Sequence, residues 1–179
     1  MSLVRLRQLA DGLTVMRAVL GLPLLLALAA GQAGLAWSLL VLGGLSDAAD
    51  GWLARRAGGG SSWGARLDPL TDKILISAAL IWLAAEQVLP LWAIWLLLAR
   101  ELLITGWRSG LSSGGPASSS AKAKTVLQFL ALVFMLWPAT WPLANQLQSL
   151  GWWLFWPSLG LALWSAAVSY THLTLPTNA

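Results

Sequence analysis

Four aspartates decide what chemistry this chain can do. Asp47, Asp50, Asp68 and Asp72 fall within one string, DAADGWLARRAGGGSSWGARLDPLTD, set inside or beside stretches otherwise almost free of charge. A carboxylate among residues that belong in lipid implies a function, because hydrocarbon offers an ionised group no hydration. Asp47, Asp50, Gly51, Ala54 and Arg55 are spaced i, i+3, i+4, i+7 and i+8, one continuous stripe on an α-helix. Asp68 and Asp72, at i and i+4, again share one face, and the Gly58 to Ser62 run between the two segments supplies a flexible turn. Two antiparallel helices would bring the four carboxylates to one point. Their mutual repulsion in a low dielectric would be severe, and divalent cations relieve it. Carboxylates without imidazole or thiolate favour Mg²⁺, Mn²⁺ or Ca²⁺, and four suffice for a pair of ions sharing ligands. Paired ions of this kind stabilise the attacking and leaving oxygens of a phosphoryl displacement. Gly51 and Ala54 leave room for a nucleotide against the helix, and Arg55 can neutralise a phosphate oxygen. The plainer alternative, that these acids pair with Arg55, Arg56, Arg66 and Lys73 as helix glue, does not call for small residues in register with them.

The elements that must carry these residues are apolar helices. The chain is 58% hydrophobic and 10% charged over 179 residues, with a mean hydropathy of +0.70. Six apolar runs of membrane-spanning length can be read, at 13–31, 35–55, 69–85, 88–108, 123–140 and 150–168. The expected fold is therefore all-α and integral to the membrane, a six-transmembrane-helix bundle. The first run exceeds a signal-peptide core, and no soluble mature domain follows it. All 11 lysines and arginines lie before span one, between spans two and three, between spans four and five, or at the borders of those segments. The other connections carry none. By the positive-inside rule both termini and the basic loops are cytoplasmic. Trp137, Trp141, Trp152 and Trp153 sit around the outer connection between spans five and six, as an interfacial aromatic belt would.

These features exclude several function classes. A pI near 10.4 suits anionic headgroups or phosphorylated ligands in a polytopic chain, and no nucleic-acid partner is expected. The absence of cysteine and the single His172 exclude disulfides and thiolate or histidine-rich metal sites. A cation transporter would place its acids near the midplane with paths to both sides. Here the acids lie toward one side.

The string also matches D-x2-D-G-x2-A-R-x8-G-x3-D-x3-D at every specified position, through Asp47, Asp50, Gly51, Ala54, Arg55, Gly64, Asp68 and Asp72. In this it resembles the CDP-alcohol phosphotransferases. The resemblance implies a six-helix fold, a homodimer, two divalent cations (Mg²⁺ or Mn²⁺), and attack by an alcohol on a CDP-linked phosphate with release of CMP. By carry-over Asp47, Asp50 and Asp68 look like metal ligands, with Asp72 a shared ligand and the general base. Asp47, Gly51, Ala54, Arg55 and Gly64 would hold the CDP moiety.

The acceptor must be read outside that signature. ARELLITGWR at 99–108 and AKAKTVLQ at 121–128 resemble the phosphatidylglycerophosphate synthase branch, which takes CDP-diacylglycerol and glycerol 3-phosphate. Arg100, Arg108, Lys122 and Lys124 gather where a phosphate-bearing acceptor would meet them; as plain positive-inside anchors they would need no such acceptor. Glu101 is odd for an anchor and is expected to orient a neighbouring arginine. Inositol phosphate, serine or phosphatidylglycerol are the alternative acceptors. Two departures stand out. Asp11 occupies a place where the resembled pattern has asparagine, so only Thr14 and Arg17 carry over there, and Ala121 replaces a glycine. The stretch 109–121 is low in complexity and reads as a mobile or passive linker. Residues 1–168 form the expected catalytic membrane domain, facing the cytoplasm from the cell membrane. Residues 169–179 resemble translated adapter sequence and are set apart as a non-native or disordered tail.

Overall fold

The computed structural model describes residues 3–56, 64–110 and 119–174. Six helices make up these residues, with no strand among them: α1 (Leu3–Ala29), α2 (Ala33–Arg56), α3 (Gly64–Ala85), α4 (Leu91–Gly110), α5 (Ser119–Met135) and α6 (Ala144–Thr174). Each corresponds to one of the six apolar runs, and the boundaries differ for local reasons. The backbone of α1 is already helical at Leu3, well before the apolar run, because LVRLRQLA is built of good helix formers and contains no breaker. Pro138 and Pro142 follow α5, and the first residue of α4 follows Pro90, where proline's missing N–H is harmless. Helix α6 stays helical past Val168 into the segment set apart above.

Two tight turns close the hairpins at one end. After α1, Gly31 takes a φ of 70°. Its N–H donates to Leu28 O at 2.9 Å and that of Gln32 to Ala27 O at 2.8 Å, capping the last carbonyls of the helix. After α3 the same pair of bonds recurs, from Gln87 to Ala84 O and from Val88 to Leu83 O, each 3.0 Å. There the left-handed position, at φ 57°, is filled by Gln87.

Helix α1 packs along α2 and α3, α5 packs along α6, and α4 leans on α6 and α3. The helices alternate in direction, so α1, α3 and α5 run one way and α2, α4 and α6 the other. Small residues set the closest approaches. A Cβ on Gly151 would lie 2.6 Å from Met135 N and 2.7 Å from Ala131 O, so α6 meets the backbone of α5 itself. Leu24, Leu40, Leu75, Leu97, Leu132 and Phe155 form the buried centre. The outer surface is also apolar, with Leu22, Leu26, Leu91, Trp95, Leu103 and Trp164 all exposed. Among the described residues no helix is long and apolar enough to cross a membrane.

Candidate functional site

The acidic string lies on the α2–α3 hairpin. The side chains of Asp47, Asp50, Ala54, Arg55, Asp68 and Asp72, like those of Thr14, Arg108 and Lys122, lie outside the described residues, as do residues 57–63 and 111–118. The helical backbone of α2 and α3 and one close contact nevertheless fix a register. A Cβ on Gly43 of α2 would run into the side chain of Leu75 on α3, which makes this pair a point of contact between the helices. Asp47 and Asp50 follow Gly43 at i+4 and i+7, on the same face of α2. Asp72 and Asp68 precede Leu75 at i−3 and i−7, on the same face of α3. Both helices rise about 1.5 Å per residue in opposite senses. Asp47 is therefore level with Asp72, and Asp50 with Asp68, on facing sides of the hairpin. Gly51 lies one turn beyond Asp47 on α2, and Gly64 opens α3.

Helix α1 contributes from the third side. Its Gly21 approaches α3 so closely that a Cβ would stand 3.2 Å from Ile74 Cγ2 and 3.5 Å from Ile74 O. One turn earlier on that face is Arg17, 0% exposed. Because α1 and α3 run parallel, Arg17 falls at the level between Asp68 and Asp72. Withdrawing a guanidinium from water is costly unless its charge and its donors are partnered. Among the described side chains no three carboxylate, imidazole or thiol groups gather as metal ligands. The all-oxygen, all-carboxylate donor set on the hairpin, in facing register, fits hard divalent cations of the Mg²⁺ or Mn²⁺ kind.

A second polar cluster joins α3, α4, α5 and α6. Its centre is Glu101 on α4. One carboxylate oxygen, Oε1, accepts from Arg100 Nη1 at 2.6 Å and from Lys124 Nζ on α5. Lys73, next to Asp72 on α3, brings its Nζ to 3.7 Å from Oε2 and donates to the main-chain oxygen of Glu101 at 3.1 Å. Arg100 is itself tied to α6: Nε donates to Ala162 O at 2.9 Å, and Nη2 donates to Ser165 Oγ. The Ser165 hydroxyl donates in turn to Ala162 O at 3.1 Å, leaving its lone pairs for the guanidinium. Lys124 is 5% exposed. A cavity of about 40 Å³ opens beside the cluster, lined by Lys73, Ser77, Leu97, Glu101, Lys124 and Gln128. It has room for a water or two and not for a whole acceptor molecule. Three cations, of Arg100, Lys73 and Lys124, thus gather on one carboxylate, and side chains of this kind bind phosphate by charge-assisted hydrogen bonds.

The sequence-derived residues thus separate into two groups. The aspartates, Gly51, Ala54, Arg55 and Gly64 belong to the α2–α3 hairpin. Arg100 and Lys124, expected to bind a phosphate, both sit on Glu101, and the guanidinium of Arg100 also spans to α6. Glu101 accepts from an arginine, as its oddity in a basic segment suggested. Sequence reasoning passed over Ser165, Gln128 and the part Lys73 plays here. Lys73 and Ser77 carry a weak signal, polar residues at i and i+4 in an otherwise apolar helix, while Ser165 in the last apolar run carries none.

Comparison with known proteins places this architecture. The CDP-alcohol phosphatidyltransferase family model matches residues 7–164, and the chain belongs to that family. A probable phosphatidylglycerophosphate synthase of Mycobacterium tuberculosis is 37% identical over 147 residues, covering 78% of this chain and 70% of that one. A CDP-diacylglycerol–glycerol-3-phosphate 3-phosphatidyltransferase of Salmonella choleraesuis is 33% identical over 145 residues, covering 73% of this chain and 76% of that one. One of the same name from Bacillus subtilis is 36% identical over 101 residues, covering 55% of this chain and 52% of that one.

Proposed function

We propose that this chain transfers the phosphatidyl group of CDP-diacylglycerol to glycerol 3-phosphate, giving phosphatidylglycerol phosphate and CMP. The observation that carries the reading is the facing register of Asp47 and Asp50 on α2 with Asp68 and Asp72 on α3, in a chain of this family. Several relatives bear the name of that reaction. Asp47, Asp50, Asp68 and Asp72 would hold two Mg²⁺ or Mn²⁺ ions, which when bound supply Lewis-acid stabilisation of the phosphate oxygens. Gly51, Ala54, Arg55 and Gly64, with Asp47, would seat the CDP moiety, and Arg55 would offset charge on its phosphates. Asp72 takes the proton of the acceptor hydroxyl. As that oxygen bonds to the phosphorus carrying the diacylglycerol, the bond from the phosphorus to the CMP oxygen breaks, and CMP leaves with the electron pair. The acceptor's own phosphate is drawn by Arg108, Lys122 and Lys124, with Arg100 holding the cluster behind them.

The reading extends to the setting. The exposed Leu22, Leu26, Leu91, Trp95, Leu103 and Trp164 form a surface that favours lipid over water. Arg17, Ser46, Thr71, Lys124, Gln128 and Ser165 are buried, which lowers the hydropathy of the helices that carry them but not of the face that lipid would meet. We take the chain as a multi-pass protein of the cell membrane, with both termini and the site on the cytoplasmic side, working as a homodimer. With no native cysteine, thiol probes can map this. A cysteine at Ser61 should label from the cytoplasm only and one at Asn145 from outside only; labelling of both from one side would break the six-span reading. The reaction itself is tested by supplying labelled CDP-diacylglycerol, Mg²⁺ or Mn²⁺ and a panel of alcohols. Glycerol 3-phosphate should yield phosphatidylglycerol phosphate and equimolar CMP, whereas preferred use of serine, inositol phosphate or phosphatidylglycerol would replace the acceptor.

A further inference from the structure

A phosphate-binding lysine must be held where the phosphate arrives, and the bonds around Glu101 form a chain that does so. It starts on α6. The Ala162 carbonyl and the Ser165 hydroxyl fix two edges of the Arg100 guanidinium, at Nε and Nη2. The remaining edge, Nη1, holds Glu101 Oε1 at 2.6 Å. A planar guanidinium bound on three sides has little freedom left, so the carboxylate it holds is fixed as well. That carboxylate and its own main-chain oxygen then anchor Lys124 of α5 and Lys73 of α3. Lysine side chains are otherwise among the most mobile, with four rotatable bonds to restrain.

We propose that Ser165, Arg100 and Glu101 are positioning residues for acceptor binding, an α6-anchored relay that holds Lys124 and Lys73 in the lining of one cavity. Arg100 then acts through Glu101 and does not itself meet the acceptor phosphate. The relay also ties acceptor binding to the metal face, because Lys73 follows Asp72 on α3. This rests on the proposed reaction, and it has a definite sign. If Glu101 positions the lysines, losing its charge lets three cations repel one another and scatter, and acceptor binding weakens. If Glu101 merely competes with the phosphate for those lysines, losing it strengthens acceptor binding.

The test is a set of steady-state measurements on the full chain in lipid–detergent micelles with both substrates varied. Glu101→Gln should raise the KM for glycerol 3-phosphate about tenfold, the scale of one lost charge-assisted contact, and leave the KM for CDP-diacylglycerol within about twofold. Ser165→Ala should shift the same constant in the same direction by less, and Ser165→Thr, which restores the hydroxyl, should recover it. In the double variant Glu101→Gln with Lys124→Met, the acceptor KM should rise by less than the product of the two single effects, since both changes cut one relay. A fall in acceptor KM for Glu101→Gln, additive effects in the double variant, or equal loss toward both substrates with a lowered melting temperature each overturns the relay while the reaction stands. A wild-type chain that does not use glycerol 3-phosphate overturns the reaction and the relay together.

Discussion

At one end of the bundle three tryptophans from α2 and the α5–α6 connection pack edge to face; at the other, three cations from three helices share one carboxylate. Trp37, Trp137 and Trp141 lie with ring centroids 5.2 to 5.3 Å apart and planes 68 to 85° from parallel. Two of the indoles are engaged locally: Trp37 Nε1 donates to Val133 O at 3.0 Å, Trp137 Nε1 to Pro142 O at 3.2 Å, and Gln148 Nε2 donates to Trp137 O at 2.7 Å. This end is held by ring packing and local hydrogen bonds. The Glu101 end sets three cations on one carboxylate, beside a hairpin whose register gathers four aspartates. An end of packed rings serves stability, and an end that concentrates ionisable groups serves binding. Substitutions at the two ends should therefore move different observables.

The largest effect belongs to the charged end. Asp72→Asn should cut CMP release by about a hundredfold or more, the range for loss of a general base. It should leave the melting temperature near wild type and some metal-dependent CDP-diacylglycerol binding in place. Asp47→Ala should lose binding as well as turnover, because a ligand goes and the remaining acids repel. Near-normal CMP release from Asp72→Asn would remove that residue from the role of base and blur the contrast between the ends.

Much of this end was legible in the sequence because its residues repeat at helical spacing. Asp47 with Asp50, and Asp68 with Asp72, declare two faces by periodicity alone, and six apolar runs announced six helices. What was not legible is contact across distant segments. Nothing in the spacing of Arg100 says that its guanidinium is spent on Ala162 and Ser165, because helix–helix pairing is set by packing of the whole bundle rather than by local pattern. The start of α1 was missed for a different reason: hydropathy reports where a helix can meet lipid, and the backbone follows propensity beyond that point.

The tryptophan end should respond in stability first. Gly151→Ala forces a methyl against Met135 N and Ala131 O, backbone atoms at 2.6 and 2.7 Å that no rotamer change can clear. Separating α5 from α6 should cost about 3 kcal/mol, the upper range for overpacking. Denaturant or thermal midpoints in micelles would show it. Acceptor and CDP-diacylglycerol KM values of the folded fraction should stay unchanged; a selective rise in acceptor KM would mean that the two ends are mechanically coupled. Trp37→Ala should cost somewhat less, about 2 kcal/mol, because the ring is only partly buried and the loss is two edge-to-face contacts and one hydrogen bond. Trp37→Phe keeps the ring contacts and should lose about 1 kcal/mol for the bond to Val133 O.

The smallest effect has the opposite sign and lies at the same end. Gln87 holds a left-handed backbone with φ 57°, a conformation in which a side chain carries a strain of about 1 to 2 kcal/mol that glycine avoids. The matching turn after α1 has Gly31 in the same place, with the same two capping bonds. Glycine also enlarges the unfolded ensemble, which takes back roughly 0.4 to 1 kcal/mol. Gln87→Gly should thus stabilise the chain by about 0.5 to 1 kcal/mol, raising the unfolding midpoint without touching either substrate's KM. Because the N–H groups of residues 87 and 88 keep their acceptors on Ala84 and Leu83, the gain comes from relieved strain alone. A loss of stability would mean that the Gln87 side chain holds the α3–α4 turn, and the two capped turns would then be alike in backbone only.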